Sequence, residues 1–105
     1  MHVLVVTFKL DGIEEADYRR VAEELAPEFA DVPGLHSMTW LADAGTGTYG
    51  GVCHFADRAA CAAFCESDLA HTVRTHPQLM DVRLRGFGVL ERPTEVTRGP
   101  APAPV

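Results

Sequence analysis

Residues 2–10 read HVLVVTFKL, and the fold turns on how this stretch is read. Leu4, Val6 and Phe8 alternate with Val3, Val5 and Thr7, so both sets are apolar or β-branched. Successive side chains of a strand point to opposite faces, and a strand apolar on both is buried on both. The stretch therefore predicts a strand in a sheet that is covered twice. Asp11-Gly12 breaks it. Asp11 with Glu14 three residues on reads as a capping box. A helix follows to about Ala30, with Tyr18, Val21, Ala22, Leu25 and Phe29 as its apolar stripe. Glu15–Arg19 and Arg20–Glu24 are supportive pairs one turn apart on its wet side. Pro27 removes one backbone donor and should kink or tighten the last turns.

Val32-Pro33-Gly34 is a turn. Residues 35–42 (LHSMTWLA) predict a second strand, 43–47 a hairpin loop and 48–56 (TYGGVCHFA) a third strand. Gly50 and Gly51 suggest a bulge or a close backbone approach within it. Asp57 should cap a second helix, 58–67, with Ala60, Cys61, Phe64 and Cys65 on its apolar side. Residues 68–75 continue as helix until His76-Pro77 ends it. Residues 79–91 predict a last strand. The order β-α-β-β-α-β is the ferredoxin-like α+β arrangement: a four-stranded antiparallel sheet with helices on one face. The domain is expected over 1–92, with 93–105 a Pro-rich extended tail that packs on a partner at Val96. Helices on one face leave the other bare, and nothing remains in the chain to cover it. A homodimer packed sheet to sheet, a dimeric α/β barrel, is the expected solution.

The 105 residues hold one domain of ordinary globular composition, 47% hydrophobic and 23% charged. Net charge is -6, and one Lys and eight Arg are scattered along the chain. No basic stripe is available to neutralise phosphates, which argues against nucleic acid and anionic membranes as partners. No apolar run is long enough to span a bilayer, and the start of the chain lacks signal-peptide character. Cys53, Cys61 and Cys65 are an odd number without metal spacing, which fits a reducing, cytoplasmic setting.

Few motifs carry chemistry. Gly45, Gly47 and Gly50 match a dinucleotide fingerprint, but they lie in a hairpin and lead into a strand rather than opening a helix. Cys61 and Cys65 one turn apart, with His54 nearby, do not complete a metal shell, and a buried thiol is the commoner fate of such cysteines. His71 and His76 flank the end of the second helical region and can act as acid or base, although each is individually more often a surface or capping residue. Trp40 and Tyr49 offer stacking surface with a polar handle, with plain packing at least as common an outcome. Arg83 and Arg85 alternate onto one strand face, where they suit an anion, an exposed edge or an intersubunit ion pair.

Taken together, VLVVTFKL (3–10), EELAPEFADVPGL (23–35), Trp40, TYGGVCHFAD (48–57) and PTEVTRG (93–99) resemble the YdhR-like monooxygenases. These sit in the dimeric α/β-barrel group with the antibiotic-biosynthesis monooxygenases. The resemblance implies a homodimer with a pocket per subunit between sheet and helices. It also implies cofactor-independent oxygenation of an aromatic, polyketide-like molecule, without metal, flavin or haem. The haem-degrading members of that superfamily carry an Asn on the first strand and a Trp ending the third, where this chain has Thr7 and Phe55; haem degradation is disfavoured on that ground. If those positions correspond, Val3, Val5 and Thr7 face the helices, together with Tyr49, Gly51, Cys53 and Phe55. The expected substrate-binding residues are then Thr7, Trp40, Cys53, Phe55 and Phe64. Tyr49, His71, His76 and Arg85 are the expected catalytic set, with Tyr49 or a histidine as proton acceptor, Arg85 as anion stabiliser and Trp40 as a stacking wall. Two alternatives stand beside this reading: a cyclase, isomerase or lyase working by proton transfer in the same pocket, and a non-catalytic small-molecule-binding dimer.

Overall fold

The computed structural model describes residues 1–99; the end of the proline-rich tail, 100–105, lies outside the described residues. Strand β1 (His2–Leu10) leads into helix α1 (Glu15–Ala30). Strands β2 (Leu35–Asp43) and β3 (Thr48–Phe55) form a hairpin. Helices α2 (Arg58–Cys65) and α3 (Asp68–Thr75) precede β4 (Leu79–Gly88), and a short α4 (Glu91–Val96) follows. The sheet is antiparallel in the order β2-β3-β1-β4. This is the ferredoxin-like α+β arrangement expected, with β1 central as its doubly apolar pattern requires.

Local chemistry sets the boundaries. Asp57 caps α2 by accepting the Ala60 N–H at 2.8 Å. Ser67 caps α3 through the Ala70 N–H at 3.2 Å. No capping box forms at α1: Glu14 is the N-cap and makes no side-chain cap bond. The Asp11 N–H instead donates to the Gln78 carbonyl at 2.8 Å, tying the end of β1 to the start of β4. Glu15 and Arg19 do pair, at 2.9 Å, whereas Arg20 turns to Asp17 rather than Glu24. Residues 93–96 differ from the extended tail expected. They complete α4, because Pro93 stands in its first turn, where a missing donor and a fixed φ are tolerated. Val96 is exposed.

The glycine pair of β3 is a close approach, since the register runs through it without a bulge. Gly50 has φ +150°, and a Cβ there would run into the Val6 carbonyl. At Gly51 a Cβ would meet the Met38 methyl at 2.7 Å and the Thr39 carbonyl oxygen at 3.3 Å.

The three longer helices cover one face, and the core lies beneath them. Leu4, Val6 and Phe8 are buried there, opposite Cys53, Gly51 and Tyr49 of β3. The strand-one parity expected above is therefore reversed: Val3, Val5 and Thr7 point to the other face. The partners of β1 cause this. Leu4 pairs with Cys53 and Phe8 with Tyr49, and cross-strand neighbours share a face. Among the described residues no helix lies over the face that carries Val5, Thr7, Arg83, Arg85 and Phe87. No described helix is long and apolar enough to cross a membrane.

Candidate functional site: an apolar cavity beneath the helices

A cavity of about 160 Å³ lies between the helices and the covered sheet face. Its floor is Val6, Phe8, Gly51, Met38, Trp40 and Leu84. The stripe of α1 forms one wall, with Tyr18, Val21, Leu25 and Phe29. Leu69, Val73 and His76 form the opposite wall, and Phe64 closes the α2 end. Of its lining residues, Val21, Glu28, Thr72 and Gln78 are exposed, so the opening lies between α1 and the end of α3.

The void is kept open by the glycine floor and by aromatic props. Phe29 packs edge-on against Trp40 at 5.3 Å and tilts against Phe64 at 5.9 Å. Phe64 in turn rests on Phe55 at 5.7 Å. Rings in such contacts resist collapse into the space between them. A cavity of about 150 Å³ encloses a benzene-sized ring, so this one takes a single ring fully, with further rings extending through the opening.

Polar groups are few. His76 is half-buried, and its Nδ1 accepts the Gln78 backbone N–H at 3.1 Å. The neutral imidazole therefore carries its proton on Nε2, as a donor. Tyr18 is buried, edge-on to Phe8 at 5.6 Å and to Tyr49 at 5.3 Å. Its hydroxyl has no hydrogen-bond partner among the described residues. Burial, with Tyr49 beside it, pushes the Tyr18 phenol up to about 12.

Three of the nine residues expected at the site, Trp40, Phe64 and His76, line this cavity. Tyr49, Cys53 and Phe55 share its sheet face but are packed into the core beside it. The Tyr49 hydroxyl donates to Glu15 Oε1 at 2.8 Å, and Arg19 holds the other carboxylate oxygen. That hydrogen bond, with burial adding to it, holds the Tyr49 phenol above its ordinary value, which opposes a role as proton acceptor. Burial likewise raises the Cys53 thiol to about 11. His71 is exposed on α3 and outside the lining. Thr7 and Arg85 lie on the opposite sheet face, in a separate groove with Val5, Arg83 and Phe87. Thr7 is thus not a cavity residue, and its comparison with a strand-one Asn of haem-degrading proteins has no bearing on this cavity.

Tyr18, Val21, Leu25 and Phe29 were legible as an apolar stripe but not as a cavity wall. Among the described residues no cluster of three metal-ligating side chains occurs.

The family model described as "Putative mono-oxygenase ydhR" matches residues 3–100. The chain belongs to this family. No curated protein matches the sequence closely. Several solved structures share the fold at low identity. A Nitrosomonas europaea protein of unknown function superposes with a TM-score of 0.71 at 20% identity, covering 85% of this chain and 88% of the other. SnoaB, described as a cofactor-independent oxygenase from Streptomyces nogalater, superposes as a mutant with a TM-score of 0.67 at 19% identity over 86% and 93%. MhuD, a haem-degrader from Mycobacterium tuberculosis solved with two haems in its active site, gives 0.68 at 18% over 86% and 96%. All three share the fold of this chain.

Proposed function

We propose that this protein is a cofactor-independent monooxygenase of small aromatic, polyketide-like molecules bound in the cavity under the helices. The observation that carries the reading is the cavity itself: ring-sized, almost wholly apolar, walled by aromatic rings and open at one side. Membership of a mono-oxygenase family supports it, as does the shared fold with an oxygenase described as needing no cofactor. A haem does not fit a space of this size unless α1 moves away.

The chemistry asks little of the protein. A bound hydroquinone or anthrone, once deprotonated, can pass an electron to dioxygen. The radical pair combines to a peroxide. That peroxide collapses to a carbonyl that keeps one oxygen atom, while the other leaves as water with two hydrogens of the substrate: both from the methylene carbon of an anthrone, or one from the ring carbon and one from a hydroxyl of a hydroquinone. The cavity supplies desolvation and orientation. In this reading the Nε2–H of neutral His76 donates to developing negative charge on the substrate oxygen. The proton itself leaves to solvent at the opening between α1 and α3.

A second copy of the chain covers the bare sheet face in this reading. Phe87 is 53% exposed there in the single chain, beside the half-buried Val5. The arginines of β4 then belong to the subunit interface rather than to the substrate.

Oxygen uptake by metal-free protein tests the oxygenase, with a panel of hydroquinones, naphthols and anthrones. The expected result is protein-dependent uptake with one quinone formed per dioxygen. Uptake with no member of the panel would reject it.

A further inference from the structure

The cavity is apolar inside and charged at its rim. Glu28 is the one side chain with a formal charge at neutral pH among the described lining residues. It is exposed, in the last turn of α1, on the same rim as Val21, Thr72 and Gln78. That turn holds no basic residue, and Glu28 makes no ion pair with any described residue. The position is unfavourable for a carboxylate. The last turn is the negative end of the helix dipole, and Glu24 one turn earlier repeats the charge. The helix gains nothing from an acid there, whereas a ligand in the cavity must pass it.

We infer that Glu28 sets the charge specificity of the cavity: it selects aromatic ligands that carry a protonated amine at the end left in the opening, and discriminates against those that carry a carboxylate there. The inference rests on the cavity being an aromatic binding site and deepens that reading by narrowing the ligand class. The walls decide which end of such a ligand faces out. An unpaired charge inside an apolar space is costly, so the ring enters and the charged group stays at the rim. There it meets Glu28. Attraction of an ammonium and repulsion of a carboxylate follow from the same charge. The nearby cation of α3 does not offset it: Arg74 lies outside the lining and donates to the Cys65 carbonyl at 2.6 Å. Because Glu28 is exposed, solvent screens it, and the effect on each charged ligand is that of a surface ion pair at low salt.

The test titrates three probes that share one ring system, 1-naphthylmethylamine, 1-naphthalenemethanol and 1-naphthoate, at neutral pH and low salt by calorimetry or NMR. The proteins are wild type, Glu28→Gln and Glu23→Gln. Glu23 is exposed on the same helix but outside the cavity lining, so Glu23→Gln makes the same change of net charge away from the opening. Wild type should bind the amine best and the carboxylate least. Glu28→Gln should weaken the amine and strengthen the carboxylate, each roughly two- to fivefold, and leave the alcohol unchanged. Glu23→Gln should match wild type. The free Glu28→Gln protein should be as stable as wild type or slightly more so. An equal effect on all three probes, none on any, or the same shift in Glu23→Gln would overturn the inference. So would a clearly less stable free Glu28→Gln protein, because the carboxylate would then have a partner within the fold. Binding of the alcohol without charge discrimination would reject Glu28 and keep the aromatic cavity; failure of all three probes to bind wild type would reject both. Binding is read without turnover, so the expected pattern with no oxygen uptake would uphold Glu28 and reject the oxygenase.

Discussion

On the helix-covered face of the sheet, β1 contributes Leu4, Val6 and Phe8 at 1%, 7% and 7% exposure. On the other face the same strand contributes Val3, Val5 and Thr7, all only half-buried. The two sets are nearly alike in hydrophobicity. What separates them is company. Behind the first lie three helices and a cavity; before the second lie Arg83, Arg85, Phe87 and, in the single chain, open space. The covered face is where the cost of a void is carried, since its lining gives up contacts that a solid core would make. The bare face is a surface waiting for a matching one.

The largest contrast should come from truncation on either side. Phe55 is fully buried and props Phe64. Phe55→Ala should cost about 3–5 kcal/mol, a large share of the roughly 5–15 kcal/mol that holds a domain together. Val52, three positions toward the hairpin and on the bare face, is half-buried. Val52→Ala should cost about 1 kcal/mol or less at low protein concentration. Urea unfolding measures both. Similar losses at all concentrations would mean that the bare face is already packed in the single chain.

The glycine pair sharpens the same contrast within two residues. Gly50→Ala drives a Cβ into the Val6 backbone at an unfavourable φ, and should cost about 2 kcal/mol or more. Gly51→Ala meets chiefly the flexible Met38 methyl over the cavity floor, with the Thr39 carbonyl oxygen a looser neighbour at 3.3 Å. It should be nearly neutral for folding while weakening aromatic ligands, because it fills the floor. Thermal melts and a ligand titration separate the two outcomes. A destabilised Gly51→Ala with unchanged ligand affinity would show that the floor does not bound the site.

These positions also show what the sequence made legible. The β-α-β-β-α-β order follows from local signals: alternation in 2–10, the Asp57 cap, the His76-Pro77 stop. The parity of β3 was readable, because Tyr49, Cys53 and Phe55 alternate with Gly50, Val52 and His54. The parity of β1 was not, because both of its faces are apolar and only pairing with Cys53 and Tyr49 decides between them. That pairing is a contact between distant parts of the chain, and a one-residue slip reverses it. Thr7 falls on the bare face for this reason, and Arg85 falls there because it pairs with Val5. The α1 stripe was visible as well. Whether a stripe packs solidly or walls a cavity depends on the summed volume of side chains from seven elements, which no local pattern carries.

The bare face offers a third test, smaller in its effect on the fold. Phe87→Asp places a charge opposite Val3, where the partner copy is proposed to sit. The single chain should lose about 0.5–1 kcal/mol or less, as an exposed strand position does. Association should fail, turning a dimer into a folded monomer by sedimentation with its circular dichroism intact. A wild-type monomer, or a Phe87→Asp dimer, would leave the bare face without the proposed partner.

The last effect is silent at neutral pH and distinguishes the faces by titration. Burial beneath the helices raises Cys53 and Cys61 from 9.0 to about 11, and Tyr18 from 10.0 to about 12. The bare face holds no group shifted in this way among those described. For each shifted group the folded chain keeps the proton while the unfolded chain gives it up. Above the unfolded value the unfolded state binds fewer protons, and stability falls as pH rises. Stability should therefore be flat up to about pH 9, then decline from the two thiols, with Tyr18 joining above about pH 10. The loss should level off only past the folded values. Urea midpoints at pH 8, 10 and 11 measure the slope, and Cys53→Ala should shallow its first part. A wild-type midpoint that does not move between pH 8 and 11 would mean that the thiols reach solvent and that the covered face is less sealed than its packing indicates.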